Sequence, residues 1–436
     1  MSKQAPQADV AGSIEIDSDA AAPLPRELTW RSGLAVAGAA CSYFITVGFL
    51  NAFGVFQEYY FNNVLRGHSN FQIAWLGSFS SFALFFFAPP AGLLADKYGP
   101  RLPIAFGVLC ILVAVFMISL CKAYYQFFLA QGVLLGVGMS FVSIPAISIV
   151  PRYFRRHRGF ATGMSVAGSS TGGVIWPIVF DQLLHHDDVG FPWAMRIAGF
   201  IVIPICVVAI LAVRVPKAAG QKDDDEKGQN EEPSHEQKPK PKKDLSVLRK
   251  PPFVFLCIGE FFAIFGFFPP LFYVSTYAVS LGMSSSIAFY LVSILNAASL
   301  FGRILPGIVA DRYGRFNLFT LSCLSAAAIV FCWTPATSVA GVVVWAIAYG
   351  FASGAILSLQ LACATTLVGD ESAGAAVGAV MGSTSLASLF GTPVAGEIVK
   401  HGFLPLSMFS GGCLLVGTCF MVASRLAQSR SLTARI

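Results

Sequence analysis

The chain has 436 residues, of which 55% are hydrophobic and only 12% charged, with a formal net charge of +6. An average soluble domain carries about 25% charged residues, so half the usual charge is left to cover a globule in water. That balance excludes an ordinary soluble enzyme, a disordered protein and a nucleic-acid binder, and it predicts a polytopic membrane protein whose surroundings are the lipid bilayer.

Residues 1–32 are polar and rich in alanine and proline, which predicts a disordered tail without a cleavable signal peptide. A bilayer core needs about 20 apolar residues per helix. Twelve stretches qualify, near 33–56, 72–95, 102–121, 123–150, 159–181, 194–213, 253–280, 285–310, 316–334, 338–362, 373–398 and 402–424. Their apolar runs are continuous rather than alternating, so they predict helices and not barrel strands. Between the sixth and seventh lies the long hydrophilic insertion 215–250, where Asp223-Asp224-Asp225-Glu226 precedes Lys238, Lys240, Lys242 and Lys243. Mixed charge with little hydrophobicity predicts a solvated linker, with a lipid-touching basic patch as the alternative. The expected fold is all-α: a six-helix bundle at 33–214, a second at 251–425 and a short tail at 426–436.

Of the lysines and arginines, 24 fall on the side of the two termini and four on the other (Arg66, Lys122, Arg196 and Lys400), while Arg303 lies within a span. Basic residues accumulate in cytoplasmic loops, so both termini are expected in the cytoplasm, with the plasma membrane as the expected location. The ten cysteines lie in or beside apolar stretches without metal-type spacing, and read as small packing residues. No cofactor is expected, no nucleophile–base set marks an enzyme, and oligomeric state is not legible.

The two halves carry one sentence twice. Gly92-Leu-Leu-Ala-Asp96-Lys97-Tyr-Gly99-Pro-Arg101 follows the second span, and Gly307-Ile-Val-Ala-Asp311-Arg312-Tyr-Gly314-Arg315 follows the eighth, at a constant offset of 215 residues. A repeat of that size predicts two pseudo-symmetric bundles. The first glycine of each copy allows close helix contact, the aspartate can hold a basic residue or a helix N-terminus, and the second glycine permits a tight turn. A fainter echo ends the fifth and eleventh spans, where Asp181 follows Pro177 and Glu397 follows Pro393 by four residues.

The repeated loop resembles the signature of the major facilitator superfamily, over nearly the whole chain from about residue 33. The resemblance implies a secondary transporter of small molecules. It also implies that Gly92, Asp96, Gly99, Arg101, Gly307, Asp311, Arg312 and Gly314 form conformational latches, with Asp181 and Glu397 as candidate outer latches. Three segments look like the monocarboxylate-porter branch, especially its fungal members: Asn51 to Tyr60, Tyr153 to Pro177, and Phe191-Pro-Trp193-Ala-Met-Arg196. The first-helix lysine of animal members falls on Asn51, however, and the aspartate that accompanies Arg303 falls on Ser299. Proton–lactate symport is therefore not carried over.

Within the spans, Glu260 and Arg303 are the charges far from the ends. A lone charge at bilayer depth is unfavourable by about 2.5–3.5 kcal/mol or more, so it faces a partner or a wet cavity. Their equal depth suggests a Glu260–Arg303 ion pair. In one reading Arg303 receives an anionic substrate group, with Ser299 one turn away on the same face; in the other it only neutralises Glu260. Glu260 is also a candidate proton carrier. The neutral candidates are Asn51, Trp176, Tyr273, Asn296, Trp345, Tyr349 and Gln360, and the phenylalanines from Phe261 to Phe268 offer either a greasy site or packing. The expected function is secondary transport of a monocarboxylate-like anion. Efflux of a bulky fungal secondary metabolite is the alternative, and a non-transporting nutrient sensor is the alternative of another class.

Overall fold

The computed structural model describes residues 27–186, 189–216 and 245–429. The predicted tail over 1–26 and most of the charged linker lie outside them. Twelve rods are described: α1 (Trp30–Val64), α2 (Asn70–Phe86 continued by Ala88–Tyr98), α3 (Arg101–Ile118), α4 (Tyr124–Tyr153), α5 (Arg158–Asp181), α6 (Phe191–Ala212), α7 (Pro251–Ser280), α8 (Ser285–Tyr313), α9 (Arg315–Phe331), α10 (Val339–Thr366), α11 (Ala373–Ser383 continued by Ser385–Val399) and α12 (Phe403–Gln428). Ten of them are long and apolar enough to cross a membrane, and α9 is a shorter apolar helix of 17 residues. The remaining rod, α5, has the length, but its five glycines lower its apolarity.

Local chemistry fixes the boundaries. Thr29 accepts from Ser32 N at 3.2 Å, so α1 begins at Trp30 and the end of the predicted tail is ordered. Ser69 and Gln72 cap α2 reciprocally, at 3.2 and 2.9 Å. Gly99 and Gly314 close the two repeated loops at φ +83° and +100°, a region that residues with a Cβ avoid.

In the first half α1 packs on α4, α5 and α6, and in the second α7 packs on α12 and α11, and α8 on α10. Small residues set such contacts: a Cβ on Gly48 of α1 would come 2.8 Å from the Gly172 Cα of α5, and one on Gly138 of α4 would come 2.9 Å from Gly107 O of α3. The halves meet chiefly through two helix pairs, α2 with α11 and α5 with α8, with smaller contacts of α5 on α10 and α4 on α11. Large apolar side chains such as Leu109, Phe200, Leu211, Phe301 and Val344 face outward, as lipid-exposed surface requires.

Candidate functional site

At the end of the bundle that bears the repeated loops, each aspartate of the repeat caps a helix of the opposite half. Asp96, at the end of α2, accepts from Gly374 N at 3.1 Å and Ala375 N at 2.7 Å, the opening residues of α11. Asp311, at the end of α8, accepts from Gly159 N at 2.8 Å and Phe160 N at 2.9 Å, the opening residues of α5. The first N–H groups of a helix have no partner in their own helix and sit at its positive pole, so a carboxylate satisfies both needs. Gly159 and Gly374 are themselves 215 residues apart, so the contacts repeat in register as the motifs do. A Cβ on Gly92 would run into Gly374 O, and one on Gly307 would come 2.5 Å from Gly159 O, so the glycines are what let the halves meet.

Arginines complete these ties, and most are not the expected ones. Arg152 of α4 pairs with Asp96 at 2.7 Å, and Arg315 pairs with Asp311 at 3.0 Å. Arg101 and Arg312, expected in the latches, are exposed and have no hydrogen bond or ion pair among the described residues. They extend from helix ends into the surroundings, and Arg152 of α4 and Arg315, one turn beyond Arg312, reach the carboxylates instead. Arg158 crosses between the halves, donating to Thr365 O at 2.9 Å and pairing with Asp370 at 2.6 Å. Arg315 crosses the other way, donating to Arg155 O at 3.2 Å. Ahead of α1, Glu27 accepts from Arg155 N, Arg156 N and His157 N and meets His157 Nδ1 at 2.8 Å. Partial burial would raise the Glu27 carboxyl, but these hydrogen bonds together hold it below its ordinary value.

About a third of the way along α7 and α8 from the repeat-loop end, the expected Glu260–Arg303 pair is absent. Arg303 reaches from α8 across the interface to α5, where Nη1 donates to Val166 O at 2.8 Å and to Ser169 Oγ, while its Nε has no partner among the described residues. Tyr43 of α1 lies close enough to interact with it electrostatically. Glu260 turns into the second half, where the side-chain amide of Gln360 on α10, in the orientation that satisfies both groups, donates to its Oε2 at 2.7 Å. Equal depth placed the two side chains at one level, but their rotation about α7 and α8 aims them apart. Arg303 and Glu260 are 2% and 0% exposed, so the arrangement is closed around both.

The other candidates divide. Asn51 and Asn296 meet across the interface at 3.4 Å, over Gly173, where a Cβ would come within 2.7 Å of both amides. Ser299 packs on Gly354 of α10 rather than beside the guanidinium. Tyr349 donates to Phe267 O at 2.7 Å and stacks on Trp345, which stacks on Trp333, an aromatic column internal to the second half. Trp176 donates to Phe44 O inside the first half. Tyr273 of α7 is half-buried against Gly396 of α11. Phe262 and Phe265 pack on Phe420 and Phe409 of α12, which favours packing over a greasy site. At the far end, Glu397 pairs with Lys400 on the next turn, and both are well exposed. Asp181 is half-buried at the end of α5.

The Major Facilitator Superfamily model matches residues 34–392. The chain belongs to that superfamily. It is 43% identical to an MFS-type transporter of Aspergillus fumigatus over 96% of both chains. It is 44% identical to the agnestins efflux protein of Paecilomyces divaricatus over 98% of this chain and 94% of that one, and 37% identical to the aspyridones efflux protein of Emericella nidulans over 89% and 76%. Among solved structures, the fucose:proton symporter of E. coli superposes with a TM-score of 0.66 over 90% of this chain and 98% of that one, at 17% identity, which is a likeness of fold.

The protein is thus a secondary transporter, not an enzyme, and its substrate is a small molecule. The sequence reading missed Tyr43, Arg152, Ser169 and Asp370. Tyr43 and Ser169 are ordinary helix residues by their type, and only their position opposite Arg303 distinguishes them.

Proposed function

We propose that this transporter exports a bulky, weakly acidic secondary metabolite by opening the two ends of the inter-half interface in turn. The observation that carries this reading is the 44% identity, along 98% of the chain, to a protein named for the efflux of agnestins. The centre of the interface agrees with it. A neutral amide, Asn51, stands where the animal monocarboxylate carriers that the chain resembles place a lysine, and it meets a second neutral amide, Asn296. Arg303 is held by a backbone carbonyl and a hydroxyl, neutral partners that an acidic substrate group can replace with an ion pair.

In this reading the Asp96 and Asp311 ties are latches that close the cytoplasmic end, and the termini and linker lie in the cytoplasm. The excess of basic residues on that side supports the orientation, and export places the protein in the plasma membrane. When the ties break, Arg303 leaves α5 and takes the acidic group, with Asn51 and Asn296 supplying neutral hydrogen bonds.

The test compares metabolites in cells and medium of the native host with and without the gene. One compound should shift from medium to cells on deletion and should cross vesicles containing the purified protein. Unchanged partition, together with uptake of lactate or pyruvate by those vesicles, would establish the monocarboxylate reading instead. Binding without flux would establish a sensor.

A further inference from the structure

Glu260 is an acid that the substrate path leaves unused. It lies nine residues into α7 from Pro251, about 13 Å along the helix axis, and is wholly buried. Among the described residues, the ionisable groups close enough to feel its charge are thiols: Cys257 on its own helix, Cys323 on α9 and Cys363 on α10. From α11, Ser383 Oγ donates to Cys257 O at 3.2 Å, and from α12 Met421 packs at Gly259, so neither helix brings charge there. The cation of α8, Arg303, is turned away to α5. Among the described residues no lysine, arginine or histidine pairs with Glu260.

Among the described residues its one hydrogen-bond partner, the Gln360 amide, can serve either form of the acid, because N–H donates to a carboxylate oxygen or to the C=O of a carboxylic acid and supplies no counter-charge. A carboxylate sealed from water without a counter-charge is strongly disfavoured. The closed arrangement therefore accommodates Glu260 with its proton on.

We propose that Glu260 is the proton-binding site that couples export to proton entry. This rests on the alternating-access reading above. The first segment of α11 connects the two events. Asp96 grips its start through Gly374 and Ala375, and its end, Ser383, contacts α7 one turn from Glu260. Breaking the Asp96 tie frees that segment to lift from α7 and lets water in. The acid O–H bond then breaks, its electron pair stays on the carboxylate oxygen, and the proton passes to water on the cytoplasmic side. Recharging from the outside, once the cytoplasmic end has closed and the outer end has opened, completes proton-for-substrate exchange.

Infrared spectroscopy of the purified full chain in phosphatidylcholine vesicles tests the site without any transport substrate. Wild type should show the carbonyl stretch of a buried carboxylic acid that declines as pH rises, Glu260→Gln should lack it, and Glu260→Asp should restore it. With the compound found by the deletion experiment, an imposed pH gradient should change wild-type flux several-fold and leave Glu260→Gln flux unchanged. A spectrum identical in wild type and Glu260→Gln, or a band indifferent to pH, overturns the proposal, even where the efflux reading stands. A titrating band lost in Glu260→Gln supports the site even where efflux fails.

Discussion

Asp96 and Asp311 occupy equivalent places in the two halves, and each holds the opening N–H groups of a helix that belongs to the other half. The exchange is reciprocal, so one rotation of the halves breaks or makes both contacts together. A charge-assisted hydrogen bond contributes about 1.5–3 kcal/mol, and every 1.4 kcal/mol is about a tenfold change in an equilibrium.

Asp96→Asn or Asp311→Asn should therefore raise the population open at the repeat-loop end by about tenfold or more. Cys363 reports it, since this thiol is wholly buried on α10 near that end, whereas Cys332 and Cys419 are exposed. Maleimide labelling resolved by peptide mass spectrometry should show Cys363 reacting faster in the variants, with Cys332 unchanged. Equal Cys363 rates would mean that these contacts do not govern closure.

Gly307→Val should act in the same direction by sterics. A Cβ there would come 2.5 Å from Gly159 O, which no flexible side chain can relieve. The expected outcome is a protein that inserts and purifies normally, labels readily at Cys363 and has lost flux. Gly54→Ala, where a Cβ meets nothing within 4 Å, is the matched control and should transport normally.

Arg303 predicts a split between its two roles. Arg303→Met keeps much of the buried volume and removes the charge, so flux of the acidic compound should fall by about 10-fold or more, as loss of a charged hydrogen bond implies. Ser169→Ala removes only one partner of the closed state, and should alter the maximal rate more than KM. A full-rate Arg303→Met protein would place substrate recognition elsewhere.

The Glu27 clamp predicts a pH dependence at the start of α1. The carboxyl is held below its ordinary value of 4.5, despite the opposing effect of burial, by N–H groups of residues 155–157 and the His157 ring. A depressed folded-state value means the docking is complete above about pH 4.5 and is lost as pH falls through the folded-state value. Hydrogen exchange at residues 27–33 should rise on that acidification, and Glu27→Gln should show the raised exchange already at neutral pH. Exchange independent of both would mean that the segment is held by other contacts.

Much of this architecture was legible in the residues. Apolar runs of bilayer length predicted the rods, and the register of Gly92 with Gly307 and Asp96 with Asp311 announced the duplication. Turn glycines at 99 and 314 followed from the same spacing. The partners were less legible. Nothing near Asp96 in sequence points to Gly374, because a backbone N–H is carried by every residue except proline and leaves no compositional mark. Glu260 and Arg303 were expected together from depth alone, since 1.5 Å per residue gives height along a helix.

Hydrophobicity acts along the chain, one segment at a time, so sequence by itself determined the membrane class, the number of rods and the doubled plan. Rotation of each rod about its axis, and the pairing of α2 with α11 and α5 with α8, depend on how small residues let surfaces interlock at a distance. That packing alone decided that Arg303 meets Val166 and Ser169 while Glu260 meets Gln360.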